Sequence, residues 1–135
     1  MSYLRAELPP ITITARDLDR LSATANYNMT RFPDVAEFLM REITRANIVP
    51  EQRVLHGVVR MGSKVLYRDE ATGQQRAVVL VYPHEADIGL GRISVLTAVG
   101  AALIGLSVRQ SIEFEIPSGH CRLTVLQVEN SGYQA

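Results

Sequence analysis

The sequence predicts an α+β protein, in which an antiparallel pair of helices precedes a small antiparallel sheet curled around a short helix. Residues 1–49 carry apolar side chains at helical spacing, whereas residues 50–135 carry short β-rich runs separated by turn residues. A run of small and apolar residues lies between the third and fourth of these strands. We therefore expect a helical hairpin over 1–49 and a sheet domain over 50–135.

The first helix is predicted to begin after Thr14, whose hydroxyl can accept a hydrogen bond from the backbone N–H of Asp17. Asparagines and a proline interrupt the helical pattern over 26–33, and a second helix is predicted from Asp34 to about Asn47. The apolar stripe of the first helix is Leu18, Leu21, Ala25 and Met29, and that of the second is Val35, Phe38, Leu39, Ile43 and Ala46.

The second half contains five β-rich runs and one helical run. The predicted strands cover 64–68, 76–82, 92–95, 111–116 and 122–129, and the short buried helix covers 98–105. Turn residues at 69–73 and 117–119 separate neighbouring strands. Strands joined by such short turns pair in antiparallel order.

Composition limits the class of protein. The 14 basic and 14 acidic residues balance, which predicts against direct nucleic-acid binding by phosphate neutralisation. No apolar run reaches the 18 residues that span a bilayer, and no apolar leader is present, so we expect a soluble cytoplasmic protein with no membrane contact. Cys121 is the single cysteine, which excludes an internal disulfide and a cysteine zinc cluster.

Two acidic residues three positions apart, Asp34 and Glu37, follow the predicted hairpin tip. Such a pair could hold a divalent cation together with water molecules. The alternative is a structural role at the start of the second helix, with Asp34 as N-cap and Glu37 in its first turn. We expect the structural role.

A second polar cluster is His84, Glu85 and Asp87, in the loop after the second strand. Histidine with two acids could form a metal or acid–base site, but no third ligand or nucleophile is tied to it by spacing. A solvated turn is the simpler interpretation, and Cys121 is expected to be a packing residue. With no active site indicated, we predict no cofactor and no enzyme activity, and an interaction protein is favoured.

Several linked segments of the second half resemble the C-terminal domain of the GreA/GreB transcription elongation factors. They are VVRMGSKV at 58–65, VYPHEAD at 81–87, ISV at 93–95, VGAALIGL at 99–106 and IPSG at 116–119. Their order and spacing agree across most of this half. Because the N-terminal helices are short, the chain as a whole resembles the Rnk subfamily, the regulators of nucleoside diphosphate kinase.

The resemblance implies an FKBP-like C-terminal domain and a partner, bacterial RNA polymerase, bound at the rim of its secondary channel. It also implies that the loop of Val95, Leu96, Thr97, Ala98 and Val99 docks on the polymerase, although Thr97 and Ala98 stand where Gre factors carry Ser-Pro. The hairpin tip with Asp34 and Glu37 matches the acidic spacing of transcript-cleavage factors on a much shorter arm. We expect polymerase binding without cleavage, in competition with longer Gre-type factors.

Two other functions stay open at the level of sequence. The subfamily's name suggests direct regulation of nucleoside diphosphate kinase. An FKBP-like domain could also be a peptidyl-prolyl isomerase, which needs an aromatic-lined apolar pocket. The second half supplies few aromatic side chains for such a pocket, namely Tyr67, Tyr82, Phe114 and Tyr133.

Overall fold

The computed structural model describes residues 8–53, 56–116 and 119–130. Its N-terminal half consists of β1 (Thr12–Thr14), α1 (Ala15–Tyr27), α2 (Pro33–Thr44) and β2 (Asn47–Val49). Both predicted helices are present. Strand β2 was not predicted: the chain leaves α2 at Thr44 and pairs in parallel with β1, where the Asn47 N–H donates to the Ile11 carbonyl at 2.9 Å.

The two helices begin in different ways. Thr14 caps α1 as predicted, because its side chain accepts a hydrogen bond from the Asp17 N–H at 3.3 Å. The predicted N-cap role of Asp34 is wrong, because α2 begins at Pro33 with Phe32 in the cap position and no side-chain cap bond. Proline has no N–H and a φ suited to the first helical position, so the helix starts one residue earlier than expected.

The C-terminal half is a five-stranded sheet in the order β5-β4-β3-β7-β6. The strands are β3 (Lys64–Asp69), β4 (Gln75–Val81), β5 (Arg92–Ser94), β6 (Ser111–Ile116) and β7 (Gly119–Glu129), and α3 (Ala98–Leu103) lies between β5 and β6. Every predicted strand and the short helix are present, which confirms the α+β class. Only β5 departs from the antiparallel pattern, since it pairs in parallel with β4. The predicted turn at 117–119 has Pro117 and Ser118 outside the described residues.

One hydrophobic core joins the helical and sheet halves. Its members come from both, including Ile11, Leu21, Leu39, Ile43, Val65, Leu80, Leu103, Leu106, Ile112 and Val125. The rings of Phe38 on α2 and Phe114 on β6 stack with their centroids 5.7 Å apart. The Arg20 guanidinium on α1 lies 4.5 Å from the centroid of the Tyr82 ring. The hairpin is therefore packed along the sheet domain rather than projecting from it.

A strained turn connects α3 to β6. Arg109 has a φ of 78°, and the Gln110 N–H donates to the Ser107 carbonyl at 3.0 Å, which closes a four-residue turn. A positive φ at the third residue of such a turn favours glycine. Arginine there places its Cβ in an unfavourable contact with the backbone.

Within the described residues, no helix is long and apolar enough to cross a bilayer.

Candidate docking loop between β5 and α3

The segment 94–100, named here the docking loop, is fixed by its own hydrogen bonds. The Thr97 hydroxyl donates to the Ser94 carbonyl at 2.7 Å and accepts from the Gly100 N–H at 3.0 Å, so Thr97 is the N-cap of α3. The Leu96 N–H donates to the Ser94 hydroxyl oxygen at 2.9 Å. Because these contacts exist without a partner, a ligand of this loop would bind a preorganised surface.

Gly100 allows the loop to lie directly on α3. A Cβ at this position would stand 2.2 Å from the Ser94 carbonyl oxygen and 2.9 Å from the Val95 Cα. Both are backbone atoms, which cannot move aside by changing a rotamer. The glycine is therefore required by the close approach of two backbone segments.

The five residues predicted to dock divide into two groups. Thr97 is exposed, and Leu96, Ala98 and Val99 are half-buried, so these four reach the surface. Val95 is 0% exposed and belongs to the core, so its side chain lies beneath the surface of the loop. The Val95 N–H donates to the Val81 carbonyl at 2.8 Å, which extends the β4–β5 pairing and turns its side chain into the core. Val95 supports the loop and does not line it.

The acidic pair Asp34 and Glu37 lies at the tip end of α2. Both side chains are exposed, one helical turn apart. As residues of the first turns, they interact favourably with the positive end of the helix dipole. Among the residues that the structure describes, no three His, Cys, Asp or Glu side chains come together as metal ligands.

The other polar residues singled out from sequence are dispersed. His84 lies in a short 3-10 turn (Pro83–Glu85), exposed like Asp87, and the Glu85 carboxylate accepts from the Tyr82 N–H at 3.4 Å. This arrangement is that of a solvated turn. Cys121 is half-buried in β7, opposite Phe114 of β6, in a packing position.

A charged cluster of the buried Asp17 with the half-buried Arg60 and Glu51, between the hairpin and the sheet domain, was missed by sequence reasoning. The Asp17 carboxylate lies 3.7 Å from the Arg60 guanidinium, which also donates to Glu51 at 2.8 Å. Burial raises the pKa of Asp17, against the lowering effect of Arg60. Burial would also raise the pKa of Glu51, but hydrogen bonds from Thr14 and Arg60 outweigh it and lower that pKa.

The spacing of α1 contained the signal for this cluster. Asp17 stands four residues before Leu21 and eight before Ala25, so a carboxylate continues the buried stripe. A charge in such a position needs a partner from another part of the chain, because an isolated buried charge is strongly unfavourable. Sequence alone does not identify that partner as Arg60, which is 43 positions away on the printed sequence.

The aromatic side chains that an isomerase pocket would need are used elsewhere. Tyr67, Tyr82 and Phe114 are all buried members of the core. Phe114 stacks on Phe38, and Tyr82 lies beneath Arg20. The fourth candidate, Tyr133, lies outside the described residues. Tyr67 and Tyr82 therefore line no open site, whereas Phe114 borders an open cleft together with Phe32 and Phe38.

Comparison with known proteins identifies the class. The family model of the GreA/GreB transcription elongation factor C-terminal domain matches residues 54–130, and that of the Rnk N-terminus matches residues 9–49. A solved structure, the prokaryotic transcription elongation factor GreA/GreB from Nitrosomonas europaea, superimposes with a TM-score of 0.69 at 30% identity, over 89% of this chain and 99% of that one. The chain therefore belongs to the GreA/GreB transcription elongation factor family.

Similarity over the whole chain specifies the group within that family. The regulator of nucleoside diphosphate kinase of Escherichia coli K12 is 34% identical over 122 residues, covering 90% of each chain. The transcription elongation factor GreA of Chloroflexus aggregans is 32% identical over 133 residues, covering 95% of this chain and 85% of its own. With its Rnk-type N-terminus, the chain is an Rnk-like member whose relatives are named as regulators and elongation factors.

Proposed function

We propose that this protein is a non-enzymatic regulator of transcription that binds bacterial RNA polymerase at the rim of its secondary channel. The observation that carries the proposal is the docking loop, which is preorganised and presents Leu96, Thr97, Ala98 and Val99 at the surface. It occupies the place that the family resemblance assigns to polymerase docking. Partly apolar side chains on a rigid loop suit an anchor in a groove of a partner.

The same proposal includes the lack of transcript cleavage. Helix α1 has 13 residues and α2 has 12, so the hairpin arm is about 20 Å long. The Phe38–Phe114 stack and the Arg20–Tyr82 contact hold it against the sheet domain. Asp34 and Glu37 would then stay near the rim and could not ligate a metal ion in the active centre at the required distance of about 2.1 Å.

Occupation of the rim by a short-armed protein would block longer factors of the same fold. We propose that the chain competes with GreA- and GreB-type factors in this way. The balanced charge supports a protein partner over direct binding to nucleic acid. The proposed action needs no cofactor and takes place in the cytoplasm, where the polymerase is.

The test of docking is binding to purified bacterial RNA polymerase by a variant with Thr97→Asp and Val99→Asp. Aspartate at 97 keeps the acceptor for the Gly100 N–H but loses the donation to the Ser94 carbonyl, and Val99 packs partly on the core, so binding is compared only after the melting temperature shows a folded variant. A carboxylate buried without a partner in an interface core is strongly unfavourable. The Kd should rise at least about tenfold, or 1.4 kcal/mol.

The matched control for added charge is Ala71→Asp with Thr72→Asp. Both residues are exposed in the β3–β4 turn, at the opposite end of β4 from the docking loop. This variant carries the same two extra charges and should bind polymerase like the wild type. Undiminished binding by the loop variant would place the polymerase contact elsewhere on the molecule.

The name of the E. coli relative supports a second candidate, direct regulation of nucleoside diphosphate kinase. Purified kinase and purified polymerase offered to the immobilised protein in separate experiments distinguish the two. The leading proposal predicts retention of polymerase alone. Retention of the kinase alone, lost in the docking-loop variant, would transfer the proposal to the kinase.

A further inference from the structure

The loop that enters β5 exposes two large apolar side chains. Ile88 is 87% exposed and Leu90 is 64% exposed, in a short 3-10 turn (Ile88–Leu90) named here the apolar turn. Exposed single apolar residues are common on protein surfaces, but two in one turn of three residues form a projecting contact point. Nothing in the described part of the chain covers them.

Backbone hydrogen bonds hold the apolar turn in one conformation. Asp87 and Arg92 exchange two of them, each N–H donating to the other's carbonyl at 2.9 Å. The Leu90 N–H donates to the Asp87 carbonyl at 3.0 Å, and Gly91 closes the turn with a φ of 74°. The two apolar side chains are therefore presented by an ordered backbone, which lowers the entropy lost on binding.

The apolar turn and the docking loop lie at the two ends of the same strand. Strand β5 has three residues, so about 10 Å of extended chain separates them. The strand is at one edge of the sheet, where β4 is its only partner strand and Arg92 is also bonded to Asp87. One partner surface can therefore cover the apolar turn, the edge strand and the docking loop together.

We propose that the apolar turn is a second anchor for RNA polymerase, which inserts Ile88 and Leu90 into an apolar, uncharged depression beside the site of the docking loop. This inference rests on the proposed function and adds a contact to it. The flanking Asp87 and Arg92 carry opposite charges that cancel locally. Burial of apolar surface should therefore drive this contact, with little dependence on salt.

The test compares polymerase binding by the wild type and by a variant with Ile88→Ser and Leu90→Ser. Both side chains are exposed, so the variant should keep the melting temperature of the wild type. The Kd should rise at least about tenfold. The matched control is Ile48→Thr, which removes an apolar side chain that is 43% exposed on β2 of the helical half, and it should bind normally.

Three outcomes separate this inference from the function on which it rests. Weaker binding by the turn variant, together with photo-crosslinking of polymerase from a benzophenone side chain at position 88 but not at position 48, supports it. Wild-type affinity in the turn variant, with the Thr97→Asp and Val99→Asp variant impaired, overturns the second anchor and leaves the docking loop intact. Absence of polymerase binding by the wild type overturns both.

Discussion

Replacement of Gly100 by alanine should change the stability of the protein in two opposite ways, through helix propensity and through steric overlap with the docking loop. Alanine in a helix is favoured over glycine by about 1 kcal/mol, so helix propensity alone predicts a more stable protein. The added Cβ, however, would lie 2.2 Å from the Ser94 carbonyl oxygen, and the loop backbone would have to retreat by about 1 Å to restore van der Waals contact.

The steric effect should decide the outcome. Overpacking costs about 1–3 kcal/mol even where side chains can adjust, and here the overlap is with backbone. The displaced loop would also weaken the Thr97 cap, which contributes about 1 kcal/mol. We expect Gly100→Ala to lower the free energy of unfolding by about 3 kcal/mol net, which corresponds to a fall of roughly 10 °C in melting temperature.

Thermal and urea unfolding measured by circular dichroism provide the assay. Gly89→Ala is the matched control, because its Cβ would meet the Asp87 carboxylate at an ordinary contact distance of 3.4 Å and its φ is not in the left-handed region. The control should unfold within about 0.5 kcal/mol of the wild type. A Gly100→Ala protein as stable as the wild type would refute the close packing of the docking loop on α3.

Further substitutions test other parts of the structure. Arg109→Gly should raise the free energy of unfolding by about 1 kcal/mol in urea titrations, because glycine accepts the positive φ, whereas Arg109→Ala should give no gain. Thr14→Ala should lower the free energy of unfolding by about 1 kcal/mol, because the cap of α1 is lost. Asp34→Ala should lower it by at most about 0.5 kcal/mol, because only an interaction with the helix dipole is lost. An equal loss in both variants would show that Asp34 caps α2 after all. Burial raises the pKa of Asp17, so its stabilising contribution is complete below the pKa of an unfolded aspartate and is lost as the pH rises through the raised value. Relative to Asp17→Asn, the wild type should therefore lose stability as the pH rises above about 4, the pKa of an unfolded aspartate, and a difference that does not change with rising pH would contradict the raised pKa.

Most of the fold could be predicted from local pattern. Alternation and turn residues located the strands because each is short and closed by glycine, proline or a charged turn. Strand β2 was missed because its three residues, Asn47–Val49, follow a helical stripe directly and are fixed only by pairing with β1. The parallel pairing of β5 was missed for a related reason, since it depends on the path of the loop over 82–91 and not on the strand's own residues.

The candidate site was located by resemblance, and the structure divides its residues by role. The segment ISV followed by VGAALIGL fixed the position of the docking loop, but periodicity could not show that Val95 continues the β4–β5 pairing into the core. For the Asp17–Arg60–Glu51 cluster, the spacing of α1 marks Asp17 as buried, but ion pairs between distant segments leave no local spacing that identifies Arg60 and Glu51 as its neighbours. At the start of α2, the preference of proline for the first helical position outweighed the preference of Asp34 for the N-cap position.

We propose that this short-armed member of the family occupies the polymerase rim without delivering carboxylates to the active centre. The most direct measurement is the length of labelled RNA in backtracked elongation complexes, followed over time with a GreB-type cleavage factor and increasing amounts of this protein. The protein alone should leave the transcript length unchanged, and at saturation it should slow cleavage by the GreB-type factor. Cleavage at an unaltered rate would contradict the shared site, and transcript shortening by this protein alone, abolished by Asp34→Ala, would contradict the arm-length argument.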